Sequence, residues 1–393
     1  MTLTVIIPVH NVAPYLRECL DSVLESVRRL RSVRGGVEII CVDDGSTDGS
    51  GAILDEYAAR YGEGRRKIVE KELTGLPTTG KVATVAVTRL KSPSTHTVLK
   101  SIYTVKGAVR VIHQPNAGPG PARNAALKIA RGEWITFVDA DDVLNRNWLE
   151  AGLRIAEREN VDLVQLGYHH GREMPAEFVD RPADEGCRVL EGAAASAWVW
   201  DVLAAKGFVW RCFIRRDVIG ELEFPRIACM EDSLWLLGLA QKVRRVAEGR
   251  FVGYFYRATE GSLIRRNRKV LQCVTYLEHL GALWTQQGPR AERDGYADVI
   301  RKNIRLSADH AIIEWVMKRD PKEDLPQKRI ATAYAALESA GAFGGTTYAD
   351  RRRYRLGFIW WKLTGQIWAM CLPGLFFLGL RIMINRVKGT VSA

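Results

Sequence analysis

The stretch GEWITFVDADD, residues 132–142, decides the reading of this chain. Trp134 to Val138 is an apolar run too short for a buried helix, so it reads as a strand. It stops at Asp139-Ala140-Asp141-Asp142. The same grammar recurs upstream. Leu3 to Val9 stops at His10-Asn11, Val37 to Val42 at Asp43-Asp44-Gly45-Ser46, and Val109 to His113 shortly before Asn116-Ala117-Gly118. Helical signals lie between. Leu16, Leu20, Val23, Leu24 and Val27 share a helical face with Pro14 in the first turn, and Asp48 can cap a helix whose inner face is Ile53, Leu54, Tyr57 and Tyr61. A third helix starts at Pro121 and is over by Gly132. Strands alternating with helices predict an α/β, Rossmann-like fold with a mostly parallel sheet flanked by helices.

In that fold the polar loops all follow the C-terminal ends of strands, the edge where open parallel sheets bind ligands. Asp139 and Asp141 can grip Mg²⁺ or Mn²⁺, which takes carboxylate and phosphate oxygens. Such a pair also suits a helix cap. Asp43-Asp44-Gly45-Ser46 is turn-like on its own, and among other acidic loops it reads as a hydrogen-bonding partner for a base or ribose. After Asn116-Ala117-Gly118, Arg123 falls in the first turn of a helix facing the crevice, suited to phosphate or base contact. Glu231-Asp232 precedes Leu234, Leu237 and Leu239 and reads as a helix start, where a carboxylate is stabilised as the anion.

Taken together, VIIPVHN (5–11), VDDGSTDGS (42–50), VIHQPNAGPGPARNAAL (111–127), GEWITFVDADD (132–142), MED (230–232) and YFYRATEGS (254–262) resemble a family 2 glycosyltransferase of GT-A fold. The resemblance runs over residues 3–262 apart from an excursion at 66–107, where the family has a shorter link. It implies an inverting transferase acting on a nucleotide-diphosphate sugar. Pro8, Val9 and Asn11 would line the base pocket, Asp44 would bond the base, and Arg123 would hold the nucleotide. Asp139 would contact ribose or metal-bound water, Asp141 would ligate the metal, and Asp232 would be the general base toward the acceptor.

The expected domains are a transferase domain over 1–262, a helical region over 263–350, and a basic, aromatic-rich tail over 351–393. The net charge is +12, and the tail carries Arg351, Arg352, Arg353, Arg355, Lys362, Arg381, Arg386 and Lys388 without an acid. With Trp360, Trp361, Trp368, Phe376 and Phe377 beside them, the tail points to an anionic membrane surface rather than nucleic acid. Pro373-Gly374 and the basic flanks favour an interfacial or re-entrant helix pair over a span. The expected place is the cytoplasmic face of the membrane, peripheral or monotopic, with a glycan or lipid-linked acceptor. Seven cysteines without a Cys-x-x-Cys pair fit a reducing compartment, and no leader precedes Val5, so no signal peptide is read.

Residues 82–87 and 97–105 predict a hairpin within the 66–107 excursion, read as a surface element before a lid. Gly75 to Lys81 imitates a phosphate loop, but Val82 stands where Ser or Thr should hold Mg²⁺. His169-His170 and His113 read as structural, and Trp198, Trp200 and Trp210 as core or sugar-stacking residues. Two rival functions remain, a polyprenyl-phosphate glycosyltransferase and a silent nucleotide-binding membrane scaffold.

Overall fold

A computed structural model describes residues 3–30, 36–62, 86–87, 108–204, 208–227, 230–259, 270–305, 307 and 325–342. The tail and the phosphate-loop imitation lie outside the described residues, as does the hairpin except for Ala86–Val87. The chain forms two compact units, Met1–Ser262 and Leu263–Ala393.

The first unit is built on one mixed sheet. Its strands are β1 (Leu3–Val9), β2 (Val37–Asp44), β3 (Ala86–Val87), β4 (Ala108–Gln114), β5 (Trp134–Phe137), β6 (Val143–Leu144), β7 (Leu163–Gly171), β8 (Cys187–Glu191), β9 (Cys212–Arg215) and β10 (Arg245–Arg257). Among the described residues they lie in the order β3-β4-β2-β1-β5-β9-β7-β10-β6, with β8 against β10. β4, β2, β1 and β5 are mutually parallel. β9 runs antiparallel to both β5 and β7, so β7 and its parallel neighbour β10 point the same way as β5. The expected parallel core is there. The sheet then continues past one reversed strand, an extension that the sequence reading had not divided into strands.

Strands buried on both faces need continuous apolar runs, and β1 and β2 supply them. The helices are α1 (Ala13–Arg29), α2 (Ser50–Tyr61), α3 (Pro119–Leu127), α4 (Trp148–Glu159), α5 (Gly192–Trp198), α6 (Arg216–Ile219) and α7 (Glu231–Leu239). α1 buries Leu16, Leu20, Val23, Leu24 and Val27, the face its spacing predicts. Asp48 does more than cap one helix. Its carboxylate accepts from Ser50 N–H at 3.0 Å and from Ala13 N–H at 2.9 Å, joining the starts of α2 and α1.

At the opposite edge from the polar loops, buried Glu38 accepts from Thr4 Oγ1 at 2.6 Å and pairs with Arg110 at 3.3 Å. Gly132 N–H donates to the same Thr4 hydroxyl at 2.9 Å. A Cβ at Gly132 would sit 2.4 Å from Thr4 N, so only glycine lets the turn into β5 lie against β1. This network sets the register of the strands whose other ends carry the site.

In the second unit, α8 (Val270–Arg293) buries Val274, Leu277 and Leu280, and α9 (Leu325–Ser339) buries Ile330 and Leu337. Among the described residues, no helix is long and apolar enough to cross a membrane.

Candidate functional site

β2 and β4 pair in register, Asp43 with His113 and Asp44 with Gln114, so successive residues leave on opposite faces. Asp44 Oδ1 accepts from Gln114 Nε2 at 2.7 Å and Ala117 N–H at 2.9 Å, and Oδ2 accepts from Gly118 N–H at 2.8 Å. An ionised carboxylate has about four acceptor positions, so roughly one is left for a ligand. Gly45 has φ +70°, and a Cβ there would come within 2.8 Å of Asn116 N. A residue with a side chain could not make that turn and keep the two loops in contact.

Asp43 goes the other way, toward α2. It accepts from Ser46 N–H at 2.9 Å and meets His113 Nδ1 at 2.9 Å, while His113 Nε2 reaches Asp55 of α2 at 3.1 Å. Burial works against charging His113, but hydrogen bonds to Asp43 and Asp55 outweigh it and raise its pKa above 6.5. The structure therefore separates Asp43 from Asp44. Asn11, Asp44 and Asn116 instead converge on His10. Its Nδ1 lies 2.8 Å from the Asp44 carbonyl, which can only accept, so Nδ1 carries the proton. Nε2 then accepts from Asn116 Nδ2 at 3.1 Å. Asn11 is held at φ 51° while its Oδ1 accepts from Thr47 N–H at 2.8 Å. Pro8 is partly exposed, but the Val9 side chain is core, so only its backbone can face a ligand.

A second group lies where β5 ends. Arg123 of α3 is buried. It donates through Nη1 to Glu231 at 2.8 Å and through Nη2 to Asp139 at 3.1 Å, and stacks 5.4 Å over Phe224. This pair of bonds ties the loop after β5 to the start of α7. Burial disfavours the guanidinium charge, yet Asp139, Glu231 and Asp232 more than offset that and raise its pKa.

The three acids after β5 divide. Asp142 is fully buried and accepts from Tyr254 Oη and Arg257 N–H, both at 2.8 Å. Burial, then the charges of Asp141 and Asp139, push its carboxyl well above the usual range. Asp139 and Asp141 are only partly enclosed. The Thr259 hydroxyl donates to Asp141 Oδ2 at 3.1 Å, and Arg257 Nε donates to the Asp141 carbonyl at 2.9 Å. Burial and the neighbouring Asp139 charge raise the Asp141 carboxyl to about 6.

Asp232 is the second residue of α7, preceded by Met230 at φ 68°. Its carboxylate accepts from Ser233 N–H at 2.9 Å. Burial first, then Glu231 and Asp139, push its pKa well above 3.8, against the pull of Arg123. Arg123, Asp139 and Asp232 thus form one electrostatic unit, with Asp141 coupled to it through Asp139.

Two carboxylates crowded together with few donors are a fitting half-shell for a hard divalent cation, which takes one or two carboxylates and leaves positions for phosphate oxygens. Among the described residues no group of three or more His, Cys, Asp or Glu side chains forms a fuller metal site. Asp139 and Asp141 therefore fit a metal completed by a bound diphosphate, and not a closed structural site.

Several participants escaped the sequence reading. Glu231 is Arg123's partner, and Tyr254, Arg257 and Thr259 brace the acids. Their signal was present in YFYRATEGS, which carried resemblance but no assigned roles. His113, read as structural, bonds Asp43 and Asp55, and His10 lay within VIIPVHN without an assigned role. Trp198, Trp200 and Trp210 are all buried, which removes them as sugar-stacking candidates. His169 and His170 stack on Phe255 and Tyr256 at 5.8 and 5.0 Å.

The sequence profile of the family described as Glycosyl transferase family 2 matches residues 4–77 and 91–213. Among curated proteins, the chain is 28% identical over 275 residues to the uncharacterized glycosyltransferase EpsJ of Bacillus subtilis (strain 168), covering 66% of this chain and 62% of that protein. It is 24% identical over 276 residues to the glycosyltransferase GlyG of Streptococcus pneumoniae, covering 67% of this chain and 73% of that one. The matched part thus spans less than two thirds of EpsJ. Among solved structures, residues 1–349 of Staphylococcus aureus TarS, crystallised with UDP-GlcNAc, superpose with a TM-score of 0.64 over 96% of this chain and 92% of that chain. The sequence identity there is 16%, so the likeness is one of fold, and it agrees with the expected GT-A sheet.

Proposed function

This chain belongs to glycosyl transferase family 2, and on that premise we propose that it transfers a sugar from a nucleoside-diphosphate donor to a glycan acceptor by single displacement with inversion. One observation carries the reading. Arg123 bridges Asp139 and Glu231, so the acids after β5 and the start of α7 share one seam in which Asp232 is left short of compensating charge.

An acceptor hydroxyl attacks the anomeric carbon on the face opposite the diphosphate. The bond to the diphosphate oxygen breaks with its electron pair as the new glycosidic bond forms. Asp232 takes the proton from the attacking oxygen, and the burial and neighbouring acids that raise its proton affinity suit it to that task. Arg123 keeps Glu231 and Asp139 in place through their carboxylates. The loops around His10 offer amide and backbone groups to the nucleotide, with Asp44 holding the Ala117-Gly118 backbone in position. Asp139 and Asp141 would hold a divalent cation, whose contribution is to offset the charge on the departing diphosphate. Thr259 and Arg257 fix the orientation of Asp141.

We also place the acceptor at a membrane surface and the enzyme at its cytoplasmic face. The support is the sequence of 351–393, with eight basic residues, no acid and several tryptophans. Sedimentation with anionic vesicles, lost on removing 351–393, tests that part.

The transferase reading is tested by screening nucleotide sugars with Mn²⁺ or Mg²⁺, beside Asp232→Asn and Asp141→Ala. The expected result is metal-dependent release of nucleoside diphosphate from one donor, lost in both variants. Nucleotide binding without turnover across donors and acceptors would point to a silent scaffold instead.

A further inference from the structure

His113 lies near the C-terminal end of β4, opposite Asp43 of β2, and both of its ring nitrogens meet carboxylates. Nδ1 is 2.9 Å from Asp43 Oδ2, and Nε2 is 3.1 Å from Asp55 Oδ1 of α2. A carboxylate accepts and does not donate, so each nitrogen must carry a proton for both bonds to exist. The ring is then an imidazolium shared between an enclosed acid and an open one. The Asp43 side chain is 9% exposed and that of Asp55 62%. Gly51, in the first turn of α2, makes room for this arrangement. A Cβ there would come within 2.7 Å of Asp43 Oδ2 and 3.7 Å of His113 Cε1. Among the described residues, the charged groups facing the ring are Asp43 from β2 and Asp55 from α2. Asp44 leaves β2 on the other face, Arg110 of β4 is paired with Glu38, and β3 brings Ala86 and Val87.

Asp43 passes this restraint on. Its other oxygen, Oδ1, accepts from Ser46 N–H at 2.9 Å, and Ser46 Oγ accepts from Asn11 N–H at 3.2 Å. Thr47 N–H donates to Asn11 Oδ1 at 2.8 Å. The turn from Asp43 to Thr47 thus carries Asp44 and clasps Asn11, and His113 reaches both through Asp43. A neutral imidazole has one N–H and cannot keep both carboxylates. The exposed Asp55 can turn into water, so loss of the proton releases the tie to α2. The charge matters as well as the bonds. Asp43 and Asp44 are adjacent acids on an edge that has to receive a diphosphate, and the imidazolium offsets one of them.

Resting on the transferase reading above, we propose that His113 is a positioning residue for the nucleotide, and that its charge sets how firmly the donor is held. With protons on both nitrogens, β4, β2 and α2 are tied together and the 43–47 turn is fixed before the donor arrives. With one proton lost, the turn is tied to α2 less tightly, and its ordering has to accompany binding. Donor affinity is therefore highest while the ring is charged and falls as it becomes neutral. Coupling of this kind is reciprocal, so a bound donor strengthens the hold of His113 on its proton by the same factor.

The test is calorimetry on the full chain, with Mg²⁺, using UDP-glucose, UDP-GlcNAc and GDP-mannose, whose diphosphates do not titrate near neutrality. For the donor that binds, affinity should fall about two- to tenfold between about pH 7 and 9, the worth of one hydrogen bond. His113→Gln has no proton to lose, so it should bind at the weaker level and lack this fall. Asp55→Asn should flatten the fall too, because an amide can bond either form of the ring. In ¹⁵N NMR of the seven histidines, His113 should lose its proton above 6.5. Bound donor should move that titration up by about 0.3 to 1 pH unit, the same factor read from the other side. The proposal is overturned by a fall equally steep in His113→Gln, or by a His113 titration indifferent to the donor. If His113→Gln does not fold, the shift in the wild-type chain and the Asp55→Asn profile decide. Binding of no nucleotide sugar at any pH defeats the transferase reading together with this proposal, whereas binding that ignores the charge of His113 defeats this proposal alone.

Discussion

Asp44 and Asp232 are both enclosed carboxylates on one edge of one sheet, yet their surroundings differ in kind. Asp44 accepts three hydrogen bonds, two of them from backbone N–H groups, and so holds a loop in shape. Asp232 has the N–H of its own neighbour Ser233, two other acids close by, and one shared arginine. A saturated carboxylate is a structural fastener. An under-compensated one is a reagent, because proton affinity rises where solvation and donors are withheld. The acidic seam therefore stores the destabilisation and the loop region supplies rigidity, the trade expected where activity needs a strained site.

The largest effect should come from Asp232→Asn. Turnover should fall by about 10²- to 10⁴-fold. Thermal stability at neutral pH should rise, since the amide removes a charge that burial disfavours. Scanning calorimetry beside a diphosphate-release assay measures both, and a variant that is inactive and also less stable would break the contrast.

Thr259→Val should come next. It removes the hydroxyl that orients Asp141, and partners of metal-binding groups typically matter by about 10- to 100-fold in metal affinity. The expected result is a higher Mn²⁺ requirement for turnover with the fold unchanged, read by metal titration.

On the other side of the comparison, Asp44→Ala leaves the N–H groups of Ala117 and Gly118 without their acceptor. Ala117 is exposed and Gly118 half-buried, so water can take the acceptor's place, and a cost of about 0.5–1.5 kcal/mol per bond is expected in urea unfolding. Nucleotide binding should weaken in parallel. Loss of nucleotide affinity at full stability would mean that Asp44 reads the ligand directly and is not chiefly a fastener.

The smallest effect separates the two regions by pH. A raised carboxyl such as Asp232 gives stability that is present at low pH and lost as pH rises from 3.8 through its folded pKa, while activity needs the deprotonated form and rises over the same window. His113 is also raised, so its contribution is complete below 6.5 and lost above, through its folded pKa. His113→Gln should flatten only that upper part of the stability profile. Asp232→Asn should remove part of the fall that begins at 3.8, with the raised carboxyls of Asp141 and Asp142 supplying the rest.

Much of the first unit could be read from local pattern. The apolar runs of β1, β2, β4 and β5, the inner face of α1 and the helix start at Glu231 all lie within a few residues of where periodicity puts them. Beyond Asp142 the reading was thinner. The strands of that half are short or pair with distant partners, and Leu163–Gly171 and Arg245–Arg257 have no simple alternation to betray them. The site was legible as a set of polar loop residues on one edge. Their division of labour was not. Asp43 and Asp44 look equivalent as neighbours, but the pleat sends one to His113 and α2 and the other to the Ala117-Gly118 loop. Asp141 and Asp142 part as well, but in a turn after β5: one meets Thr259, the other Tyr254 and the Arg257 backbone.

The sequence by itself determined that this is an α/β chain with acids and amides gathered at the C-terminal ends of its strands, because period-2 and period-3.6 burial leave their mark on every few residues. Only the tertiary structure decided which of those acids are pinned and which are left short of partners. Arg123 meets Glu231 across 108 positions and Tyr254 meets Asp142 across 112. Desolvation and charge act through space, so a carboxyl's proton affinity belongs to the neighbours the fold delivers and not to the letters beside it.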